Sequence, residues 1–373
     1  MTKRYFSKDP AMRLEAGQNL ELPDWSQQNR PEQYVIEDEG LVAAINAALI
    51  LGQPLLLTGE PGTGKTTLAA RVAWQLGLQA PLTFETKSTS VARDLFYTYD
   101  AVGRFQAAQG IQPGTSDPNV SGNLPFITFQ ALGKAIILSG SANTQLRMRI
   151  QDSEKTAANS ANKLSDTNPR RSVVLIDEID KAHRDFPNDL LNEIDRMFFT
   201  IPELGGQRVE ADPKLRPIVI ISSNSEKNLP DPFLRRCVYY HIEFPNEAGL
   251  QKILRGRLGQ QPGRPEDEPK KTNAVTATTA VAVPSTDFVQ SAVKFFLEVR
   301  SLPLRKCPAT AELIGWARLL LAYGAKLTEP ISKVKELPLT LSALAKNQDD
   351  LESVTNCLKN SSEAAGLSAA GSA

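Results

Sequence analysis

Short apolar runs alternate with amphipathic stretches over the first two thirds of the chain. Runs such as LLL and VVLI show no alternation with polar residues, so strands with two buried faces are expected. The predicted strands are Pro54–Thr58, Leu82–Glu85, Ser172–Ile176, Pro217–Ser222 and Val238–Glu243. The predicted helices between them are Lys65–Leu76, Phe129–Ser139 and Asp185–Phe199. This alternation predicts an α/β domain over residues 34–245, a three-layer sandwich with a mainly parallel five-stranded sheet.

The strand pattern stops after Pro245, and the remaining periodic stretches are helical. Proline disfavours helix before it and Asn246 can cap a helix after it, so we place the domain boundary there. A smaller all-helical lid domain is predicted over 246–359. Its predicted helices are Ala248–Leu258, Asp287–Val299 and Thr310–Tyr323. Two inserts are predicted in the α/β domain, near 97–128 and 141–171. Polar, aperiodic composition predicts flexible segments: an N-terminal extension 1–33, Gly110–Asn123, Gln151–Arg171, a linker 259–285 and a disordered tail 360–373.

A glycine-rich segment directly follows the first predicted strand. It consists of Gly59, Glu60, Pro61, Gly62, Thr63, Gly64, Lys65, Thr66 and then Thr67. The pattern is GxxxxGK(S/T), and the strand before it and the helix after it are the context that its mechanism requires. Glycines let backbone N–H groups converge on phosphate oxygens, and the following helix directs its positive end at the same anion. We therefore predict an ATP site in which Lys65 reaches the β- and γ-phosphates and Thr66 binds Mg²⁺.

Two acids, Asp177 and Glu178, end the apolar run Ser172–Ile176. A strand buried on both faces delivers such residues to the carboxyl edge of the sheet, where open α/β sheets bind their ligands. We predict that Asp177 holds Mg²⁺ and that Glu178 polarises the attacking water. The neighbouring Asp180 and Lys181 are expected to be solvated or paired with each other.

Composition limits the remaining functional classes. Lys plus Arg and Asp plus Glu number 42 each, so no net positive field favours nucleic acid or an anionic membrane as a partner. Two histidines are too few for a histidine-rich metal site, and His183 and His241 are expected to have no catalytic part. Three widely spaced cysteines suit a reducing compartment, and no apolar run reaches about 18 residues. A cytoplasmic location is therefore expected.

Taken together, these segments resemble the AAA+ ATPases and, within them, the MoxR-like clade. The resemblance rests on GEPGTGKTTLA, VVLIDEIDKAHRDFPNDLLNEID, IVIISSN and LPDPFLRRC. It implies that Asn224 is the sensor-1 residue and that Arg236, with Arg235 beside it, supplies an arginine finger. Such a finger reaches the ATP of a neighbouring subunit, so the resemblance also implies a homo-hexameric ring. Ala311 stands where the family usually keeps its polar or basic sensor-2 residue, so either Arg305 or Lys306 takes that place or the lid senses nucleotide weakly.

The resemblance implies three further features. The backbone of Tyr34–Ile36 would surround the adenine. The insert near 97–128 would form a hairpin facing the ring pore, where its aromatic residues either grip a polypeptide or pack locally; we favour packing. These aromatic residues are Phe96, Tyr97, Tyr99 and Phe105. Independently of the resemblance, the glycines Gly205 and Gly206 predict a second hairpin over Phe199–Glu210. The partner would be a separate protein, in this family often one with a von Willebrand A domain.

Other functional classes use the same phosphate loop. A nucleotide kinase would need an acceptor pocket and neither Asn224 nor Arg236. A motor or sensor in a nucleic-acid or defence system would need a basic pore or an added DNA module, which the balanced charge disfavours. A nucleotide-gated scaffold that hydrolyses slowly would not need both Asp177 and Glu178. The resemblance instead implies a chaperone-like ATPase that remodels a separate partner protein or delivers a metal or cofactor to it.

Overall fold

The computed structural model describes residues 30–109, 122–140, 143–148, 150, 168–224, 229–258, 284–323, 325–326, 328–334 and 337–370. Most of the segments predicted to be flexible lie outside these ranges. The contacts divide the chain into two compact units. We call Asp38–Glu60 with Lys65–Glu243 the sheet unit, and Met1–Glu37 with Pro61–Gly64 and Phe244–Ala373 the helical unit.

The sheet unit contains all the strands among the described residues. These are β1 Leu55–Thr58, β2 Leu82–Glu85, β3 Tyr97–Tyr99, β4 Ile127–Phe129, β5 Val173–Asp177, β6 Phe198–Ile201, β7 Gln207–Glu210, β8 Ile218–Ser222 and β9 Val238–His241. Its helices include α1 Glu39–Leu51, α2 Lys65–Gln75, α3 Ala101–Ala108, α4 Ala131–Ser139, α5 Phe186–Asp189, α6 Leu191–Arg196 and α7 Asp231–Leu234.

Five strands form one sheet in the order β2-β5-β8-β1-β9, and each neighbouring pair is parallel. The predicted fold class is therefore confirmed. The central strands β1, β5 and β8 are almost wholly buried, whereas the edge strands β2 and β9 alternate between less and more exposed positions. This is the arrangement that their non-alternating apolar runs indicated, because helices cover both faces of a parallel sheet.

Register places three strand ends side by side at the carboxyl edge of the sheet. Leu57 of β1 lies opposite Ser222 of β8, and Ile176 of β5 lies opposite Ile221. Asp177 therefore lies next to Ser222, and the loop after β1 begins one residue beyond Thr58. The carboxyl edge of the sheet therefore holds Asp177, Ser222 and the beginning of the phosphate loop.

Two antiparallel strand pairs stand apart from the main sheet. β6 pairs with β7 around Gly205 and Gly206, which confirms the second predicted hairpin. β3 pairs with β4, and these strands bracket the aromatic insert. The single helix predicted over Asp185–Phe199 is wrong: α5 and α6 are separate, and Met197 has a φ of 48°, in the left-handed region, at which a helix ends. Phe199 then packs in β6, where it is buried.

The described elements after Pro245 are helices, and they enclose an apolar core of their own. They are α8 Glu247–Leu258, α9 Thr286–Arg300, α10 Thr310–Ala322, α11 Leu337–Thr340 and α12 Gln348–Ala370. Val293, Phe296 and Val299 are buried on α9, as its periodicity predicted. Trp316 of α10 is fully buried, and its indole N–H donates to Thr340 Oγ1 at 2.9 Å. Unlike the predicted disordered tail from residue 360, α12 extends to Ala370.

Candidate active site

The phosphate loop connects β1 to α2 in a conformation that glycine makes possible. The φ angles of Gly59, Gly62 and Gly64 are 143°, 79° and 92°. Residues with a Cβ seldom adopt such angles. An added Cβ at Gly64 would also lie 2.9 Å from the Tyr34 ring, within the helical unit. The glycines of the motif are therefore required by backbone geometry.

The side chain of Lys65 is buried beneath this loop. Its Nζ donates to the carbonyl oxygens of Gly59 at 2.7 Å and Glu60 at 2.9 Å. Burial lowers the pKa of Lys65, while the carboxylates of Asp177, Asp180, Glu178 and Glu60 act in the opposite direction. The cation thus lies in the field of the acids that end β5, as the predicted site requires.

Asp177 and Thr66 lie next to each other. The Thr66 hydroxyl donates to Asp177 Oδ2 at 3.0 Å. Two adjacent ligands of an octahedral Mg²⁺, each about 2.0–2.1 Å from the ion, are about 2.9 Å apart, so this pair of oxygens fits the ion. No group of three or more His, Cys, Asp or Glu side chains able to hold a metal occurs within the described ranges. A magnesium ion here would depend on phosphate oxygens and water for its other ligands, which is the usual arrangement for this ion in nucleotide sites.

Glu178 adopts an unusual backbone conformation directly after the strand. Its φ and ψ are 55° and 51°, in the left-handed helical region. Asn224 Nδ2 donates to Glu178 Oε1 at 3.1 Å, and Lys181 Nζ pairs with Oε2. The structure therefore brings together the predicted base and the predicted sensor-1 residue, which are 46 positions apart in sequence.

Two residues that sequence reasoning did not select complete this edge. The buried hydroxyl of Ser222 accepts the Glu178 N–H at 2.8 Å and donates to Asp177 Oδ1. Asp180 Oδ1 accepts the Asn224 N–H at 3.2 Å. The expectation that Asp180 is solvated is wrong, because its side chain is buried. Lys181 is exposed, as expected, and pairs with Glu178. A serine at the end of an otherwise apolar run, next to a predicted functional asparagine, was the available signal for Ser222.

The two arginines predicted for an arginine finger follow α7. Arg236 Nε lies 2.7 Å from Asp195 Oδ2 of the same chain, and both side chains are about two-fifths exposed. Arg235 is exposed. The predicted role of Arg236 requires a second subunit, because the resemblance places the finger at the ATP of a neighbour.

The aromatic residues of the insert divide into two groups. Phe96 and Tyr97 are buried; the ring of Phe96 stacks on Phe199 at 5.2 Å, and Tyr97 donates to Glu203 Oε2 at 2.8 Å. Local packing, the favoured alternative, is thus what these two residues do, because β3 lies against the hairpin of β6 and β7. Phe105 on α3 is 62% exposed.

The histidines have ordinary neighbours. His183 Nδ1 lies 3.3 Å from Asp185 at the surface, and His241 Nδ1 lies 2.9 Å from Thr58 Oγ1.

Tyr34 lies beside Gly64, and burial raises the pKa of Tyr34 to about 12, while Arg257 acts in the opposite direction.

Comparisons with known proteins agree with this geometry. The sequence profile of the ATPase family associated with various cellular activities (AAA) matches residues 55–246, just over half of the chain. No curated protein matched. Similar solved structures include PCH-2 of C. elegans, at 16% identity and a TM-score of 0.37, with 90% of this chain and 74% of that chain covered. Another is Hsp104 with ATPγS and FITC casein in its closed state, at 17% identity and a TM-score of 0.35, with 62% and 37% covered.

None of the described helices is both long and apolar enough to cross a bilayer. The match of the family profile includes the phosphate loop, the acids after β5, Asn224 and both arginines. The chain therefore belongs to the AAA family and is an ATP-hydrolysing enzyme.

Proposed function

We propose that this chain is a magnesium-dependent, MoxR-like AAA+ ATPase that forms a hexameric ring and remodels a separate partner protein. One observation carries the catalytic part of the proposal. A continuous series of hydrogen bonds connects Thr66 to Asp177, Asp177 through Ser222 to Glu178, and Glu178 to Asn224. The groups that would bind the metal and activate the water are therefore held as one unit.

Each residue then has a defined part in hydrolysis. Backbone N–H groups of Gly59–Thr67, apart from Pro61, which has none, would bind the phosphate oxygens, and Lys65 would neutralise charge on the β- and γ-phosphates. Thr66 and Asp177 would hold Mg²⁺, which would offset the negative charge of the transferred phosphoryl group. The oxygens of Asp177 interact with Thr66 and Ser222, so Asp177 is suited to hold a metal.

Glu178 is the better candidate for the base. Its carboxylate projects from the edge of the sheet and is about one-third exposed, where a water molecule has access. Asn224 donates to one carboxylate oxygen and fixes its direction, and the same amide is placed to orient the attacking water. Lys181 contacts the other oxygen.

Two substitutions separate binding from chemistry. Glu178→Gln keeps the size of the side chain and removes its basicity, so turnover should fall by at least about 100-fold, at the low end of general-base catalysis, while ATP remains bound. Lys65→Ala should abolish binding, because it removes the buried cation of the loop. Turnover would be measured by phosphate release and binding by a fluorescent ATP analogue. Normal turnover of Glu178→Gln would remove the assigned role of Glu178.

Arg236 carries the ring part of the proposal. Its partner Asp195 lies on the same chain, and their ion pair is partly exposed, so it is weak enough to exchange for a neighbouring subunit's phosphate. Arg236→Ala should lose activity, and mixing it with Lys65→Ala should restore part of that activity, because mixed rings contain some intact interfaces. Absence of rescue, with mixed rings shown by native mass spectrometry, would exclude a finger that acts between subunits.

The partner and location complete the proposal. Family resemblance favours a separate protein, such as one with a von Willebrand A domain, in the cytoplasm. Pulldown with the ATP-trapping Glu178→Gln variant, compared with Lys65→Ala as the control that lacks ATP, would identify that partner.

A further inference from the structure

We propose that Ser222 is a positioning residue that sets the catalytic base relative to the acid that binds the metal. This inference rests on the proposed roles of Asp177 and Glu178. The hydroxyl group of Ser222 contacts both of these residues: it accepts from the Glu178 N–H at 2.8 Å and donates to Asp177 Oδ1. One oxygen atom therefore connects the side chain of Asp177 to the backbone of Glu178.

The conformation of Glu178 needs such a partner. At φ 55° and ψ 51°, its backbone lies in the left-handed region, which is unfavourable for an L-residue that carries a Cβ. Strained residues persist where surrounding contacts determine them, and they concentrate at active sites. The bond from the Glu178 N–H to Ser222 Oγ is one such contact, and it lies directly at the strained residue.

Burial makes the hydroxyl difficult to replace. Ser222 is fully buried on the central strand β8, so water has no access to take over its bonds. A hydroxyl has one hydrogen and two lone pairs. The hydrogen is directed to Asp177 and one lone pair to the Glu178 N–H, so the bridge has a defined direction. Alanine would leave the Glu178 N–H without its acceptor and Asp177 Oδ1 without this donor.

The opposite loop makes a matching contact. Asp180, two residues after Glu178, accepts the backbone N–H of Asn224, which lies two residues after Ser222. Each strand end therefore offers a side chain to the backbone of the other. Since Asn224 also donates to Glu178, the base is held at its backbone by Ser222 and at its carboxylate by Asn224.

Loss of the bridge should affect chemistry more than ATP binding. The phosphate loop lies between β1 and α2, and Lys65 donates to the loop carbonyl oxygens of Gly59 and Glu60 rather than to Ser222. Outer partners of metal-ligating carboxylates typically contribute about 10- to 100-fold in activity or metal affinity. We expect Ser222→Ala to lower kcat by about that factor. The ATP affinity without magnesium should stay within about twofold of the parent, because the effect of an outer partner is on the metal and the reaction.

The test compares Ser222→Ala with Ser139→Ala. Ser139 is equally buried, and its hydroxyl donates to the Ile136 carbonyl oxygen in its own helix at 2.9 Å. Both variants lose one buried hydroxyl, so a merely structural effect would lower the melting temperature of both and the kcat of neither. Ser222→Thr retains a hydroxyl and should restore part of kcat. Ser222→Cys keeps the size with a poor donor and should resemble alanine, so it replaces Ser222→Ala if that variant does not fold.

The assays are phosphate release per folded molecule, binding of a fluorescent ATP analogue without magnesium, and thermal melting, with Glu178→Gln measured in parallel. An unchanged kcat in Ser222→Ala or Ser222→Cys, or an equal loss in Ser139→Ala, would overturn the role of Ser222. If Glu178→Gln is inactive in that same experiment, the proposed function stands while this inference fails. Normal turnover in Glu178→Gln would instead refute the proposed base, and this inference with it.

Discussion

Because the backbone of Glu178 is left-handed, we predict that a glycine at this position gives a more stable protein than an alanine does. We consider two substitutions, Glu178→Ala and Glu178→Gly. Both remove the carboxylate, and with it the contacts to Asn224 and Lys181, so these losses cancel in the comparison. Both should lack normal turnover. The two variants differ in the cost of a φ of 55°.

The expected difference is set by two opposing terms. Alanine in the left-handed region costs about 1–2 kcal/mol that glycine avoids. Glycine loses more chain entropy on folding, worth about 0.4–1 kcal/mol. The Gly variant should therefore be more stable than the Ala variant by about 0.5–1 kcal/mol, since the first term is the larger. For a unit of this size that difference corresponds to about 1–4 °C in melting temperature.

The measurement is thermal and urea unfolding of both variants without nucleotide. Asn46 provides a matched control, because it is exposed within α1 of the same unit. There the order should reverse, with Asn46→Ala more stable than Asn46→Gly by about 1 kcal/mol. If alanine is the more stable residue at both positions, Glu178 does not have the left-handed conformation and the strain argument fails.

Two further predictions concern buried groups away from this edge. Burial raises the pKa of the Cys237 thiol to about 12, with Asp195 acting in the same direction, while Cys307 is exposed. Because the thiolate is the reactive form, a thiol reagent at pH 8 should modify Cys307 much faster than Cys237. The variant Cys307→Ser should remove the fast phase of the reaction. A fast phase that persists in this variant and maps to Cys237 would contradict the burial of Cys237. Thr340→Val should destabilise the helical unit by about 1–3 kcal/mol, because the indole N–H of buried Trp316 loses its acceptor. Thr355→Val is the comparison: it removes a partly buried hydroxyl that bonds only to its own helix. Equal melting temperatures for the two variants would refute the argument.

The sheet and the phosphate loop were predictable because their signals are local. A run such as LLLT before GEPGTGKT determines strand, turn and helix from neighbouring residues alone. The acids Asp177 and Glu178 were predictable for a related reason, since a buried parallel strand delivers the residues after it to one edge of the sheet. The five-stranded sheet and the two carboxylates at its edge are therefore determined by the sequence.

Tertiary packing decided which residues from distant parts of the sequence contact each other. For Phe96 and Tyr97 the sequence favoured local packing but left open a surface that grips a polypeptide, and only the structure shows that both are buried, with Phe96 stacked on Phe199. Asp180 looked like a solvated loop acid, yet it is buried and bonds to Asn224. Both outcomes depend on segments more than 40 residues away, about which the local pattern carries no information.

Ser222 shows this division most clearly. By itself, the sequence determined that an apolar strand ends in small polar residues, and that two acids end another strand. Only the register between β5 and β8 placed the hydroxyl against Asp177 and the Glu178 N–H, 44 residues away in sequence. The physical reason is that side-chain hydrogen bonds depend on distances within about 3 Å, whereas hydrophobic periodicity determines which face is buried and not which neighbour is touched.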